Sequence, residues 1–237
     1  MKLSTTLIVV AMLAPMSLMA QEEAESPWSG KASLGYLATT GNTENSSLNT
    51  AVEVGFATGE WQHIANAAAI SSAENDINTA EAYELGWKTE RNLSDVSFLF
   101  GRLDWRKDVF GAFDTQFSQS VGYGYRLIKT DKHQLNLEAG VGARQSETQI
   151  GVKEDEMIFR GGAYYTFLFS ETAEFRQDVT AEAGSDNTYM ESITAVSAKL
   201  LGDLALVASF TVKYNTDVPP LTEKTDTYSA LSLEYAF

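Results

Sequence analysis

Two histidines, His63 and His133, are the only imidazoles in this 237-residue chain, which has no cysteine. Disulfide frameworks, thiolate zinc sites and cysteine nucleophiles are excluded at once, and a histidine metal centre lacks ligands. A lipid-cleaving arrangement needs a histidine to take a proton from a nearby serine at the rim facing the outer leaflet. The acidic run Glu154-Asp155-Glu156 lacks the alternating oxygens and turn glycine of a calcium loop and reads as a solvated external loop. Gly140–Gly142 and Gly161-Gly162 sit inside alternating segments, where glycine relieves crowding rather than cradling phosphate. No catalytic residue, cofactor or metal is expected from these patterns.

The remaining chemistry is ionic. Along segments that alternate apolar and polar residues, one face carries the cations Lys31, Lys88, Arg102, Arg106, Arg126, Arg144, Arg160, Arg176, Lys199 and Lys213. The same face carries the acids Glu53, Glu84, Asp104, Glu138, Glu174, Asp178, Glu182, Glu191 and Glu234. The two sets nearly cancel, although the whole chain has a formal charge of −15. Unpaired charge is costly where water is scarce, so near balance on one face predicts ion pairing inside an enclosed space. The expected network is Arg102, Asp104, Arg106, Arg126, Glu138, Arg144, Arg160, Arg176, Asp178 and Glu182. The remaining acids crowd the connections and predict a negative outer rim, with weak association of divalent cations there. Such acidity argues against a nucleic-acid partner, which needs clustered Lys and Arg.

These charges must be positioned by strands. Leu48, Thr50, Val52, Val54 and Phe56 share one face of Ser47–Phe56, and Asn49, Ala51, Glu53 and Gly55 take the other. Gln134–Arg144 and Leu204–Tyr214 repeat the period of two. Runs of about ten residues exceed the usual soluble strand and match a tilted strand crossing a bilayer. Twelve strands are predicted, at 28–39, 46–57, 61–72, 80–90, 96–106, 115–127, 133–144, 156–169, 173–184, 190–201, 203–215 and 226–237. Two are irregular. Ile64–Ala73 is alanine-rich enough to read as helix, and Phe98 and Phe100 share the parity of Arg102, so a bulge or a mixed face is expected.

Every second connection is short, at Thr58–Glu60, Arg91–Asp95, Ile128–Lys132, Ser170–Thr172 and Gly202. The alternate ones, Ser72–Thr79, Lys107–Asp114, Gln145–Asp155 and Thr216–Thr225, are longer and polar, and Thr40-Gly41-Asn42-Thr43 reads as a tight external turn. Short periplasmic turns against longer external loops describe a bacterial outer-membrane barrel. In this topology His63 and His133 fall at the periplasmic end, the wrong rim for outer-leaflet chemistry. Trp28, Trp61, Trp87 and Trp105 fall near strand ends, as interfacial girdle residues do.

The ends of the chain agree. Lys2, the apolar run Leu7–Ala14, Pro15 and the small Ala20 before Gln21-Glu22-Glu23 make residues 1–20 a secretory signal peptide. Residues 21–27 are then a short periplasmic segment and residues 28–237 the barrel. Leu231, Leu233, Tyr235 and the terminal Phe237 form an apolar ridge at two-residue steps. It resembles the closing-strand signature of outer-membrane proteins, so the barrel-assembly machinery and outer-membrane lipids are the expected partners.

Trp28-Ser29-Gly30, Leu34-Gly35-Tyr36, Gly122-Tyr123-Gly124-Tyr125, Leu137–Arg144, Lys213-Tyr214-Asn215 and Val218-Pro219-Pro220 occur in an order that resembles the salt-induced outer-membrane protein family of the YdiY type (domain of unknown function 481). The resemblance implies an outer-membrane barrel linked to salt or envelope stress and supplies no catalytic residues. The expectation is an all-β, twelve-stranded antiparallel transmembrane barrel, a narrow pore or structural barrel that is not an enzyme. The alternatives are an outer-membrane lipid-modifying enzyme and a soluble periplasmic binding barrel.

Overall fold

The computed structural model describes residues 26–39, 45–220 and 222–237. The signal peptide, most of the segment before Trp28, the Thr40–Thr43 turn and Glu44 lie outside the described residues. Twelve strands follow one another: β1 Trp28–Thr39, β2 Asn45–Thr58, β3 Trp61–Glu74, β4 Ile77–Asn92, β5 Ser97–Asp108, β6 Phe113–Lys129, β7 His133–Thr148, β8 Lys153–Ser170, β9 Ala173–Ala183, β10 Thr188–Leu201, β11 Leu204–Asn215 and β12 Thr225–Ala236. Each pairs antiparallel with its sequence neighbours, and β1 pairs with β12 to close the barrel.

Closure turns the period of two into an inside and an outside. Leu34, Leu85, Val121, Val141, Phe159 and Phe210 point outward and are exposed, the apolar band a bilayer requires. Leu231, Leu233, Tyr235 and Phe237 lie exposed on that same outer surface. Arg144, Arg160, Glu138 and Glu182 point inward and are buried. A soluble barrel has the opposite arrangement.

β3 is a strand despite its alanines, paired along its whole length with β2 and β4. Pairing on both edges overrides the helical preference of alanine. Of the two outcomes expected for β5, the structure has the mixed face. Its registers with β4 and β6 run without interruption, so Phe98 and Phe100 point inward with Arg102 and Asp104. Phe98 is 1% exposed and Phe100 4%. Glycines make the room: a Cβ built on Gly122 would lie 2.6 Å from Cζ of Phe100.

The connections on the side away from the termini are shorter than the sequence suggests, because the strands extend past the bilayer-spanning length. Between β3 and β4 only Asn75 and Asp76 remain, both at positive φ (48° and 62°). That is a two-residue hairpin turn built from residues that tolerate the left-handed region. Glu154, Asp155 and Glu156 likewise belong to β8 rather than to a loop, and Glu156 is buried.

The closing seam is unlike the others. β1 pairs with β2 from Trp28↔Phe56 to Thr39↔Asn45. It pairs with β12 only from Lys31↔Ala236 to Leu34↔Leu233. Mutual main-chain bonds of 2.8 Å between Gly30 and Phe237 extend that pairing at the terminal end.

Candidate functional site

The lumen is the candidate site, and Glu182 is its busiest acid. This β9 carboxylate, 1% exposed, meets Arg160 of β8 at 2.7 Å, Arg106 of β5 at 3.2 Å and Arg144 of β7 at 3.5 Å. It also accepts a hydrogen bond from the Ser118 hydroxyl at 3.1 Å. Arg160 reaches on to Asp104 at 3.8 Å, and Asp104 holds Arg102 at 2.7 Å. Arg144 is fully buried and pairs with Glu156. Arg144 also donates to the main-chain oxygen of Asn187 at 2.6 Å, and Glu156 accepts from the Asp186 amide at 3.1 Å. The upper cluster thus fastens the 184–187 connection to the barrel wall. Two buried arginines, Arg144 and Arg160, and the part-buried Arg106 on one carboxylate leave no isolated charge in low dielectric.

A second cluster lies nearer the termini. Lys88 of β4 pairs with Glu138 of β7 across the lumen and with Glu90 at 2.7 Å. Arg126 of β6 reaches Glu90 at 3.5 Å and the Asn92 side-chain oxygen at 2.7 Å. Its guanidinium lies 4.7 Å from the Phe98 ring centroid. Lys88 stands over the rings of Phe98, Phe100 and Tyr164. Cations over aromatic faces are stabilised where water is excluded. Arg176 and Asp178 stand apart as a local pair on β9, at 2.6 Å.

The structure therefore brings Arg102, Asp104, Arg106, Arg144, Arg160 and Glu182 into one network, and Arg126 and Glu138 into another. Sequence reasoning missed Glu90 and Glu156, which join these networks. Their parity with Lys88 and Arg160 is the signal that would have found them. It also gave the lumen Lys199, which is exposed at the terminal end of β10.

The space left over is divided. A cavity of about 390 Å³ is lined by Ser33, Glu53, Arg102, Tyr164, Asp178 and Glu191 among others. A vestibule of about 420 Å³ lies toward the loop end, beside Asn49, Ser72, Asp108, Asp226 and Tyr228. A third, smaller gap of about 40 Å³, also bordered by Lys213, shares Glu84 and Arg106 with the cavity and Asp108 and Asp226 with the vestibule. At the vestibule the Tyr228 hydroxyl donates to Asp108 at 3.2 Å, tying β12 to β5 across the mouth.

The histidines lie elsewhere. His63 stacks between Trp61 and Trp87, at 6.2 and 6.3 Å between centroids. His133 stacks on Phe167 at 4.5 Å, and its Nδ1 is 2.8 Å from the Tyr165 hydroxyl. Both belong to the aromatic belt at the end that carries the termini, as do Trp28 and Trp61, while Trp105 stands toward the loop end.

A closed twelve-stranded barrel with an apolar outside and an ion-paired inside is a transmembrane barrel of the bacterial outer-membrane type. Its fold is similar to that of the COG4313 outer membrane channel from Pseudomonas putida F1, with a TM-score of 0.55 at 7% identity, covering 93% of this chain and 100% of that one. It is also similar to the translocator domain of the autotransporter NalP from Neisseria meningitidis, with a TM-score of 0.52 at 11% identity over 91% and 90% of the two chains. The chain belongs to the family described as "Protein of unknown function, DUF481", whose model matches residues 32–237. The uncharacterized protein YdiY of Escherichia coli (strain K12) is 29% identical over 217 residues, 90% of this chain and 84% of that protein.

Proposed function

We propose that the chain is exported by its signal peptide and works in the outer membrane as a narrow, low-conductance, non-enzymatic pore. The observation that carries this reading is the set of ion pairs that cross the lumen, from β4 to β7, from β5 to β9 and from β4 to β11. Ion pairs that cross from β4 to β7 and from β5 to β9 fill the section that a wide porin leaves open. The carboxylates of Asp108 and Asp226 face the vestibule, which favours cations over anions there. The acidic connections outside it also attract divalent cations weakly, alongside anionic lipid head groups. Delivery by the barrel-assembly machinery through Leu231, Leu233, Tyr235 and Phe237 belongs to the same proposal. A part in salt or envelope stress rests on the family resemblance alone. Conductance of the purified barrel in a planar bilayer tests the function. Small steps with mild cation selectivity are expected, and large, stable porin-like steps overturn the reading.

A further inference from the structure

One ion pair crosses the lumen between strands far apart on the wall. Lys213 of β11 and Glu84 of β4 are not on neighbouring strands; β12, β1, β2 and β3 lie between them along the wall. Their side chains nevertheless meet across the interior. Both border the 40 Å³ gap, Glu84 also borders the cavity below, and Asp226 at the upper edge of the gap borders the vestibule as well. The pair is therefore a bar across the lumen, beside both larger spaces. Lys213 also stands 5.3 Å from the centroid of Tyr228, whose hydroxyl is fixed on Asp108.

Each end of the bar has a second partner beside it. Lys213 is register partner to Glu191 on β10, and both face the lumen. Glu84 is register partner to Arg106 on β5. Directly opposed residues have Cβ atoms about 5 Å apart, within easy reach of a lysine and a glutamate. Among the described residues Glu191 makes no salt bridge, while Lys213 reaches over the lumen to Glu84 instead. Moving Lys213 from Glu84 to Glu191 would leave Glu84 beside Arg106, so no buried charge is stranded. Stranding one is what makes breaking a buried pair expensive.

We propose that Lys213 is a gating residue for small cations: it closes the lumen by reaching to Glu84 and opens it by folding back onto Glu191. This rests on the pore reading. In the closed state the ammonium stands in the gap and repels cations gathered by Asp108 and Asp226. In the open state it lies against the β10 wall with its charge neutralised, and the ammonium no longer stands in the gap.

The test uses Glu84→Gln and Glu191→Gln, which change the net charge identically. Purified variants, checked for folding by heat-modifiable gel mobility, are compared with the native barrel in planar bilayers. Glu84→Gln is expected to raise cation conductance severalfold, and Glu191→Gln to lower it. Shifts in the same direction, or no shift, overturn the gate, because a pure charge effect moves both alike. Lys213→Met removes the bar from its other end and carries the expectation of Glu84→Gln should that variant not assemble. A second readout needs no current. With Ser33→Cys as the only thiol, placed in the lower cavity, a charged thiol reagent is added to proteoliposomes on the side bearing the 216–224 connection. Faster labelling with Glu84→Gln and slower with Glu191→Gln supports the gate even if no barrel conducts, in which case the pore reading alone fails. Unchanged labelling in conducting barrels rejects the gate and leaves the pore. Unchanged labelling without conductance rejects both.

Discussion

The ring of Phe98 occupies the place a side chain on Gly124 would need, since a Cβ built there would lie 2.1 Å from Cζ of Phe98. The two residues are register partners on β5 and β6. Gly124→Ala must displace that ring and the Lys88 and Arg126 charges gathered over it. A loss of about 1–3 kcal/mol is expected, the usual cost of overpacking. The heat-modifiability midpoint of the purified barrel measures it. Adding Phe98→Ala should recover part of the loss at the glycine; a double variant as unstable as the sum of the singles contradicts the packing argument.

Arg144 is a stricter case. It is fully buried and serves Glu156, Glu182 and the Asn187 main chain together. Arg144→Met should destabilise the folded barrel by about 3–5 kcal/mol, because Glu156 is left charged and buried. Arg91→Met is the control: its Glu60 pair is exposed, and such pairs contribute roughly 0–1 kcal/mol. Urea unfolding in detergent, followed by tryptophan fluorescence, ranks the two. Equal midpoints contradict the assignment of the lumen pairs as structural.

Changing Tyr235 and Phe237 to Ser together should lower the yield of folded barrel in the outer membrane much more than it alters the midpoint of what does fold. Both side chains face outward and make no lumen contact, so their expected role is in assembly. Phe237 also packs on Gly30, where a Cβ would meet its Cζ at 2.5 Å. Heat-modifiable protein in membrane fractions gives the readout. Native yield with the double variant removes the assembly role.

The outer rim should carry a negative field. Glu147, Asp155, Asp186 and Asp217 lie around the connections at that end. Such a field extends about a Debye length, ~8 Å at physiological salt. Cells overproducing the barrel should show a more negative zeta potential than cells overproducing a version with these acids amidated. Magnesium should narrow the difference. Equal potentials reject the field.

Much of the barrel was legible because closure leaves the period of two intact: strand positions follow from alternation, and the parity of Arg102 or Glu182 tells which side it faces. Height is not encoded that way. Nothing in the spacing of Arg106, Arg144 and Arg160 says that all three meet one carboxylate, because that depends on the stagger of strands far apart in the chain. Polar composition misplaced Glu156, since an acidic run looks like a loop until a buried arginine stands opposite. Phe98 and Phe100 disturbed the pattern because the lumen is lined partly by glycines on the next strands, and a large apolar group fits where its neighbours have none. The Asn75-Asp76 turn was hidden by strands that continue past the bilayer.

The short join between β1 and β12 makes the wall of this barrel uneven. A rolled sheet is only as strong as its overlap, and here the overlap runs from Gly30 to Leu34 against Leu233 to Phe237. Toward the loop end the ladder between these strands stops, while β12 stays paired with β11 up to Tyr214↔Thr225. A sheet edge without ladder bonds opens at lower free energy than its interior. Pulled apart, heated or thinned by detergent, the cylinder should therefore part like a zip from its outward end, long before the Arg144–Glu182 side gives way.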